Sequence, residues 1–170
     1  MGEKVIIFPY DPNWKFLFDE EKKMILEVIG AYAEDIRHVG STSVEGLSAK
    51  PIIDIMIGIR TLTEAQNCIM PLSSLGYDYI PEYEKDLPMR RYFRKPSNGT
   101  RTHHIHMVEL NSDFWARHLA FRDYLASHPK ERDEYALLKI KLAEKYSTDR
   151  EAYTDAKSDF INGIVSLALR

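Results

Sequence analysis

Asp54 stands inside an apolar run, Ile52-Ile53-Asp54-Ile55-Met56-Ile57, that follows Lys50-Pro51 and, further upstream, His38-Val39-Gly40-Ser41-Thr42-Ser43. An ionised carboxylate in apolar surroundings is costly unless it is paired, hydrogen-bonded or bound to a metal. Alternation along a strand puts Asp54 on the same face as Ile52 and Met56, so that face must reach something polar. A carboxylate at a strand end suits Mg²⁺, with phosphate oxygens and water completing the octahedron. The plain alternative is an Asp that caps a loop or pairs with an arginine. The Gly40-Ser41 turn can offer backbone N–H groups and a hydroxyl to a phosphate, because glycine has no Cβ to block close approach. Taken alone, that dipeptide is also an ordinary turn.

His104-Ile105-His106 adds two imidazoles two residues apart, which on a strand point the same way and can converge on one metal, phosphate or substrate. His103 then faces the other side with Ile105, Met107 and Glu109. Arg90, Arg91 and Arg94 lie on the preceding strand, with Arg91 and Arg94 on opposite sides, and guanidinium groups suit phosphate through forked hydrogen bonds. Lys50 could neutralise phosphate charge beside Asp54. Each of these basic residues has a solvated surface role as its alternative. Trp14, Trp115 and most tyrosines fall at core spacing, and Cys68 lies in a helical stretch without a motif.

Certain elements must hold these residues. Residues 5–8 read as a strand, and Asp11-Pro12 as an N-cap with Pro at the first helical position of a helix running to about Gly30. Strands are expected at 36–39 and 52–59, separated by a loop over 40–49 rich in small and hydroxyl residues. Thr61-Leu62-Thr63-Glu64 fits a capping box opening a helix that Gly76 closes. Strand character returns at 77–83, 89–95 and 102–110, and Pro96-Ser97-Asn98-Gly99 supplies a turn that makes the last two an antiparallel hairpin. Beyond Ser112 the apolar residues recur at helical spacing, in three helices broken at 127–129 and 147–149. The expected class is α/β, a mixed α+β sheet flanked by helices. The chain reads as one domain over 1–170, with a sheet core at 1–110 and a helical C-terminal part at 111–170.

Composition sets the outer bounds. The chain has 170 residues, a formal net charge of −3 and one cysteine. A single thiol excludes an internal disulfide framework and favours a reducing compartment, so the expected location is cytoplasmic. The apolar stretch at 5–8 is too short for a signal segment or a membrane span. Acidic and basic side chains are mixed along the chain, which argues against general nucleic-acid binding and leaves room for a local basic pocket.

These motifs, together with Leu47, Ala49-Lys50-Pro51, Phe121-Arg122-Asp123-Tyr124-Leu125 and His128-Pro129, resemble the GrpB family of small bacterial proteins. The resemblance begins at Tyr10-Asp11-Pro12-Asn13-Trp14 and extends to Ile161. It implies a nucleotidyltransferase-like fold in which Gly40 and Ser41 bind nucleotide phosphates and Asp54 is the first metal-binding acid. His38, Thr42, Lys50, Arg91 and Arg94 are further candidates for phosphate binding. The second acid of that superfamily is Met56 here, and a thioether is a poor Mg²⁺ ligand. In place of a third acid the chain offers His104 and His106, which join Asp54 as candidate catalytic or metal-binding residues. The implied cofactor is Mg²⁺ or Mn²⁺, with a transition metal on Asp54, His104 and His106 as a lesser option. Some members are fused to dephospho-coenzyme A kinase, which implies a nucleotide or coenzyme-like small molecule as partner. Three functions stay open: metal-dependent nucleotidyl transfer, non-catalytic nucleotide or coenzyme binding on a degenerate transferase fold, and, third, hydrolysis by a single transition metal held by His104, His106 and Asp54. The residues do not indicate an oligomeric state.

Overall fold

A computed structural model describes residues 4–96 and 99–170. Helix α1 (Asn13–Ile29) starts where the Asp-Pro pair places it, and Asp11 Oδ1 accepts the Asn13 N–H at 2.9 Å. Its buried stripe is Trp14, Phe18, Ile25 and Ile29, with Glu21 among them. Five strands follow: β1 (Ala33–Val39), β2 (Ile53–Ile59), β3 (Asp78–Tyr79), β4 (Arg90–Lys95) and β5 (His103–Glu109). They form one mixed sheet in the order β1-β2-β5-β4-β3, in which β2 and β5 pair in parallel and all other neighbours are antiparallel.

Several elements differ from expectation for local reasons. Residues 5–8 form no strand of the sheet. A single bridge joins Phe8 to Ala49, and Val5 N–H donates to the Ser147 carbonyl instead. The stretch after Thr61 is a 3₁₀ turn over Leu62–Cys68 leading into the short α2 (Ile69–Ser73). No capping box forms there, because Thr61 Oγ1 meets Thr63 Oγ1 and Glu64 takes the Arg60 guanidinium. Pro71 also removes an N–H from any longer helix. The strand expected at 77–83 shrinks to β3, since Pro81 opens a 3₁₀ turn over Pro81–Lys85. The β4–β5 hairpin forms as expected, although Ser97 and Asn98 of its turn lie outside the described residues.

The C-terminal part holds four helices rather than three: α3 (Asp113–Ser127), α4 (Pro129–Lys145), α5 (Arg150–Ala156) and α6 (Ser158–Ala168). The extra break falls at Lys157, and Asp149 accepts the Ala152 N–H to start α5.

Pleating sends alternate residues to two different layers. One face carries Ile53, Ile55, Ile57, Phe93, Ile105 and Met107 against α1. There Glu21 is matched by Lys95 Nζ at 2.5 Å, the donating Tyr77 hydroxyl at 2.8 Å and His103 Nε2 at 3.7 Å. The other face carries Val39, Met56 and Val108 against Trp115 of α3. A separate cluster packs Val44 and Leu47 of the 40–49 loop against Leu125, Tyr135 and Ile164.

Candidate functional site: a cationic cavity between the sheet and the C-terminal helices

The parallel register pairs Asp54 with His104 and Met56 with His106, and the antiparallel register sets Tyr92 beside His106. One pleat face therefore gathers the carboxylate and both imidazoles. His106 Nε2 is 3.1 Å from Asp54 Oδ1, and His104 Nδ1 is 3.5 Å from the same oxygen. Arg90 Nη1 lies 3.2 Å from His106 Nδ1. A guanidinium only donates, so His106 Nδ1 accepts from Arg90 and its proton sits on Nε2, directed at Asp54. Burial raises the pKa of Asp54, but the hydrogen bonds and charge of His104 and His106 outweigh it and hold the carboxyl well below its usual range. Burial lowers the pKa of His104, and its Nε2 is buried with no hydrogen-bond partner among the described residues.

Gly40 is required beside this group. Its φ is 73° with ψ at −175°, and a Cβ there would stand 2.5 Å from Asp54 Oδ2. The end of β1 and the 40–49 loop that follows are tied to the C-terminal helices by basic side chains. Arg122 donates to the His38 carbonyl at 3.1 Å, Arg132 to that of Glu45 at 3.3 Å, and Lys139 to that of Ser48.

Between this sheet face and the helices lies a cavity of about 580 Å³. Its wall carries five basic side chains, Lys50, Arg90, Arg117, Lys139 and Lys157, and one carboxylate, Asp54. Lys139 lies 4.9 Å from the Tyr135 ring centroid, and Lys157 lies 4.4 Å from that of Tyr153, which Lys50 also approaches at 5.1 Å. Burial, with the charges of Lys157 and Lys50, brings the Lys139 pKa down to about 6. Burial and Lys50 bring that of Lys157 down to about 7, despite the opposing pull of Asp54. His118 joins the wall and is neutral at pH 7, since burial and His106 lower its pKa to about 4.

Of the residues singled out in the sequence, Gly40, Ser41, Thr42, Lys50, Asp54, His104 and His106 line the cavity. His38, Arg91 and Arg94 do not. His38 is on the opposite pleat face, stacked on Phe18. Thr42 links it to the cavity wall: its hydroxyl donates to the Ile52 carbonyl, so His38 Nε2 is the donor of their 3.0 Å bond. Arg91 turns to Glu84 at 3.5 Å and to the Pro88 carbonyl. Arg94 shares the pleat face of Tyr92 but lies past the cavity, where Arg90 enters instead. The sequence reading gives no role to Lys139, Lys157, Arg117 or His118. A usable signal was present, because Tyr135/Lys139 and Tyr153/Lys157 repeat one Tyr-x-x-x-Lys spacing, which stacks the pair on a helix face.

The divalent cation implied by the resemblance does not fit this donor set as arranged. Asp54 is the lone carboxylate on the wall, and Met56 is fully buried against Val39, Val108 and Trp115. His106 has both ring nitrogens engaged. Among the described residues no group of three or more His, Cys, Asp or Glu side chains has the arrangement to hold a metal ion.

A mixed α/β protein with a cationic cavity under its C-terminal helices is the class that this fold and site define. The profile of the GrpB protein family matches residues 4–166, and the chain belongs to that family. It is 38% identical over 165 residues to the glutamate-rich protein GrpB of Alkalihalophilus pseudofirmus, covering 96% of this chain and 95% of that one. The crystal structure of the conserved protein GrpB from Enterococcus faecalis superposes with a TM-score of 0.88 at 34% identity, over 96% of this chain and 97% of the other. More distantly, 90% of the chain aligns at 26% identity with a dephospho-CoA kinase of Mycolicibacterium paratuberculosis, of which it spans 43%. Among the described residues no helix is long and apolar enough to cross a membrane.

Proposed function

We propose that the cavity binds a nucleotide or nucleotide-containing coenzyme by its phosphate groups, on a scaffold of nucleotidyltransferase type. The observation that carries this reading is the charge of the wall. Five basic side chains face one carboxylate in a chain whose net charge is −3. Two of them are lysines that burial and mutual repulsion disfavour as ammonium groups, and a bound anion relieves both penalties. Phe114, Phe121, Ile161 and Val165 give the same cavity an apolar wall for a base or an acyl-carrier arm, and its volume suits a ligand of that size. The alignment with a dephospho-CoA kinase favours coenzyme A and its precursors within this class. Such metabolites are cytosolic, and the reading places the protein there.

The test is thermal unfolding of the full chain with ADP, ATP, dephospho-coenzyme A and coenzyme A at matched ionic strength. Binding to the native state raises the melting temperature with ligand concentration. At least one ligand is expected to do so, and Lys50→Met and Lys157→Met to remove the effect. An unchanged midpoint across the panel would overturn the reading.

A second reading, nucleotidyl transfer, is favoured by one observation: the unpartnered Nε2 of His104, backed by Asp54. In that reaction an acceptor hydroxyl attacks the α-phosphorus of a nucleoside triphosphate, pyrophosphate leaves, and the hydroxyl proton passes to His104 Nε2. Pyrophosphate release by the native protein, abolished in His104→Asn with nucleotide binding retained, is the expected result. Binding without turnover leaves the binding function standing and removes this one.

A further inference from the structure

Three lysines reach the helical wall of the cavity from three separate parts of the chain: Lys50 before β2, Lys139 on α4, and Lys157 at the break between α5 and α6. Lys50 and Lys157 both approach one ring, Tyr153. That tyrosine is fully buried, lines the cavity, and its hydroxyl has no hydrogen-bond partner among the described residues. A second orphaned group, His104 Nε2, lies on the sheet side of the same cavity. Buried polar atoms of this kind normally have partners, so two of them lining one cavity point to an occupant.

We propose that Lys50, Lys139 and Lys157 form a metal-independent subsite for a diphosphate group, with the Tyr153 hydroxyl donating to it. This rests on the phosphate-binding reading above and names the part of the ligand recognised. Three ammonium groups exceed what one singly charged phosphodiester can balance, whereas two linked phosphates carry several charged oxygens for them. The lysines then supply the charge that a divalent cation supplies in a site with a second carboxylate, a position held here by Met56.

The subsite is also proton-linked. Lys139 faces the Ser48 carbonyl, the Tyr135 ring, Lys50 and Lys157. Lys157 faces the Tyr153 ring, Lys50, Arg150 and Asp54. In these surroundings both amines are largely neutral at pH 8 without ligand. Bringing a polyanion against them restores the ammonium form, each Nζ taking its proton from solvent.

Titration calorimetry of the full chain tests this at pH 8, in EDTA and then in Mg²⁺, in two buffers of different ionisation enthalpy. The probes are inorganic pyrophosphate, inorganic phosphate and ADP. Pyrophosphate is expected to bind about tenfold more tightly than phosphate or better, with little difference between EDTA and Mg²⁺ and with net proton uptake. Lys139→Met and Lys157→Met are each expected to weaken it by about tenfold and to reduce the uptake. Far-ultraviolet circular dichroism and the unfolding midpoint verify that both variants fold. Pyrophosphate binding that needs Mg²⁺, whose heat is the same in both buffers, or that survives in folded lysine variants overturns the proposal. Binding of ADP without pyrophosphate overturns the subsite and leaves the broader reading intact, whereas binding of no probe and no member of the nucleotide and coenzyme panel overturns both.

Discussion

The two faces of the sheet treat buried charge in opposite ways. On the α1 face, Glu21 is enclosed by Lys95, Tyr77 and His103, and its oxygens are used by protein groups. On the helical face, Lys139 is equally enclosed and Lys157 partly so, yet the charged neighbours that act on them are mainly other basic groups. A closed network holds a structure together, whereas an enclosed surplus of basic groups gives up protons and regains its full charge only when something of opposite sign arrives. The first face is built to be finished in the unliganded chain. The second is built to be finished by a ligand.

Substitution can break this contrast. The largest effect is expected for Glu21→Ala, which leaves Lys95 and the buried Tyr77 hydroxyl without their shared carboxylate and should lower unfolding free energy by ~3–5 kcal/mol in urea titration. A loss below about 1 kcal/mol would show that the network is solvated rather than enclosed. Gly40→Ala comes next, at ~1–3 kcal/mol, because the backbone conformation there is nearly reserved for glycine and the new methyl meets Asp54.

Lys157→Met should act in the opposite sense and raise unliganded stability by about 1 kcal/mol, since it removes a desolvated amine without leaving a carboxylate behind. Its pH signature sharpens the point. Lys139 and Lys157 have folded-state pKa values of about 6 and about 7, below their ordinary value of 10.5. Between those limits the unfolded chain binds more protons, so unliganded stability rises with pH from about 6 to 10, and Lys157→Met should flatten that slope. Melting midpoints that fall over this range would refute the assignment. The smallest effect is expected for Arg91→Ala, outside the cavity and paired with a partly exposed Glu84, at about 0.5 kcal/mol and with unchanged ligand response.

Much of the sheet side was legible in the sequence because it depends on period-two alternation. His104 and His106 share a face by that rule, and turn chemistry at 96–99 marks the antiparallel β4–β5 hairpin, whereas Asp54 joins the two imidazoles only through the parallel β2–β5 register. The helical wall was not legible to the same degree. Buried lysines defy the expectation that charge lies outside, and a pattern read for apolar residues passes over Lys139, which is 2% exposed. The assignment of His38 to the phosphate site failed for a related reason: it rested on a motif, whereas pleating sends its ring to the Phe18 side and leaves only Thr42 between it and the cavity. The capping box at Thr61 failed through competition, because Arg60 captures the Glu64 carboxylate that the box needs.

The parallel pairing of β2 with β5, residue for residue from Ile53 opposite His103 to Ile59 opposite Glu109, makes the site behave like a reading frame. A substitution at His104 edits one letter. Removal of a single residue within β5, ahead of His104, would instead rotate everything after it through the sheet, carrying both imidazoles under α1 and turning aliphatic side chains towards Asp54. The chemistry is thus encoded in parity as well as in residue identity, and lineages that lengthen or shorten this strand must do so two residues at a time to keep it.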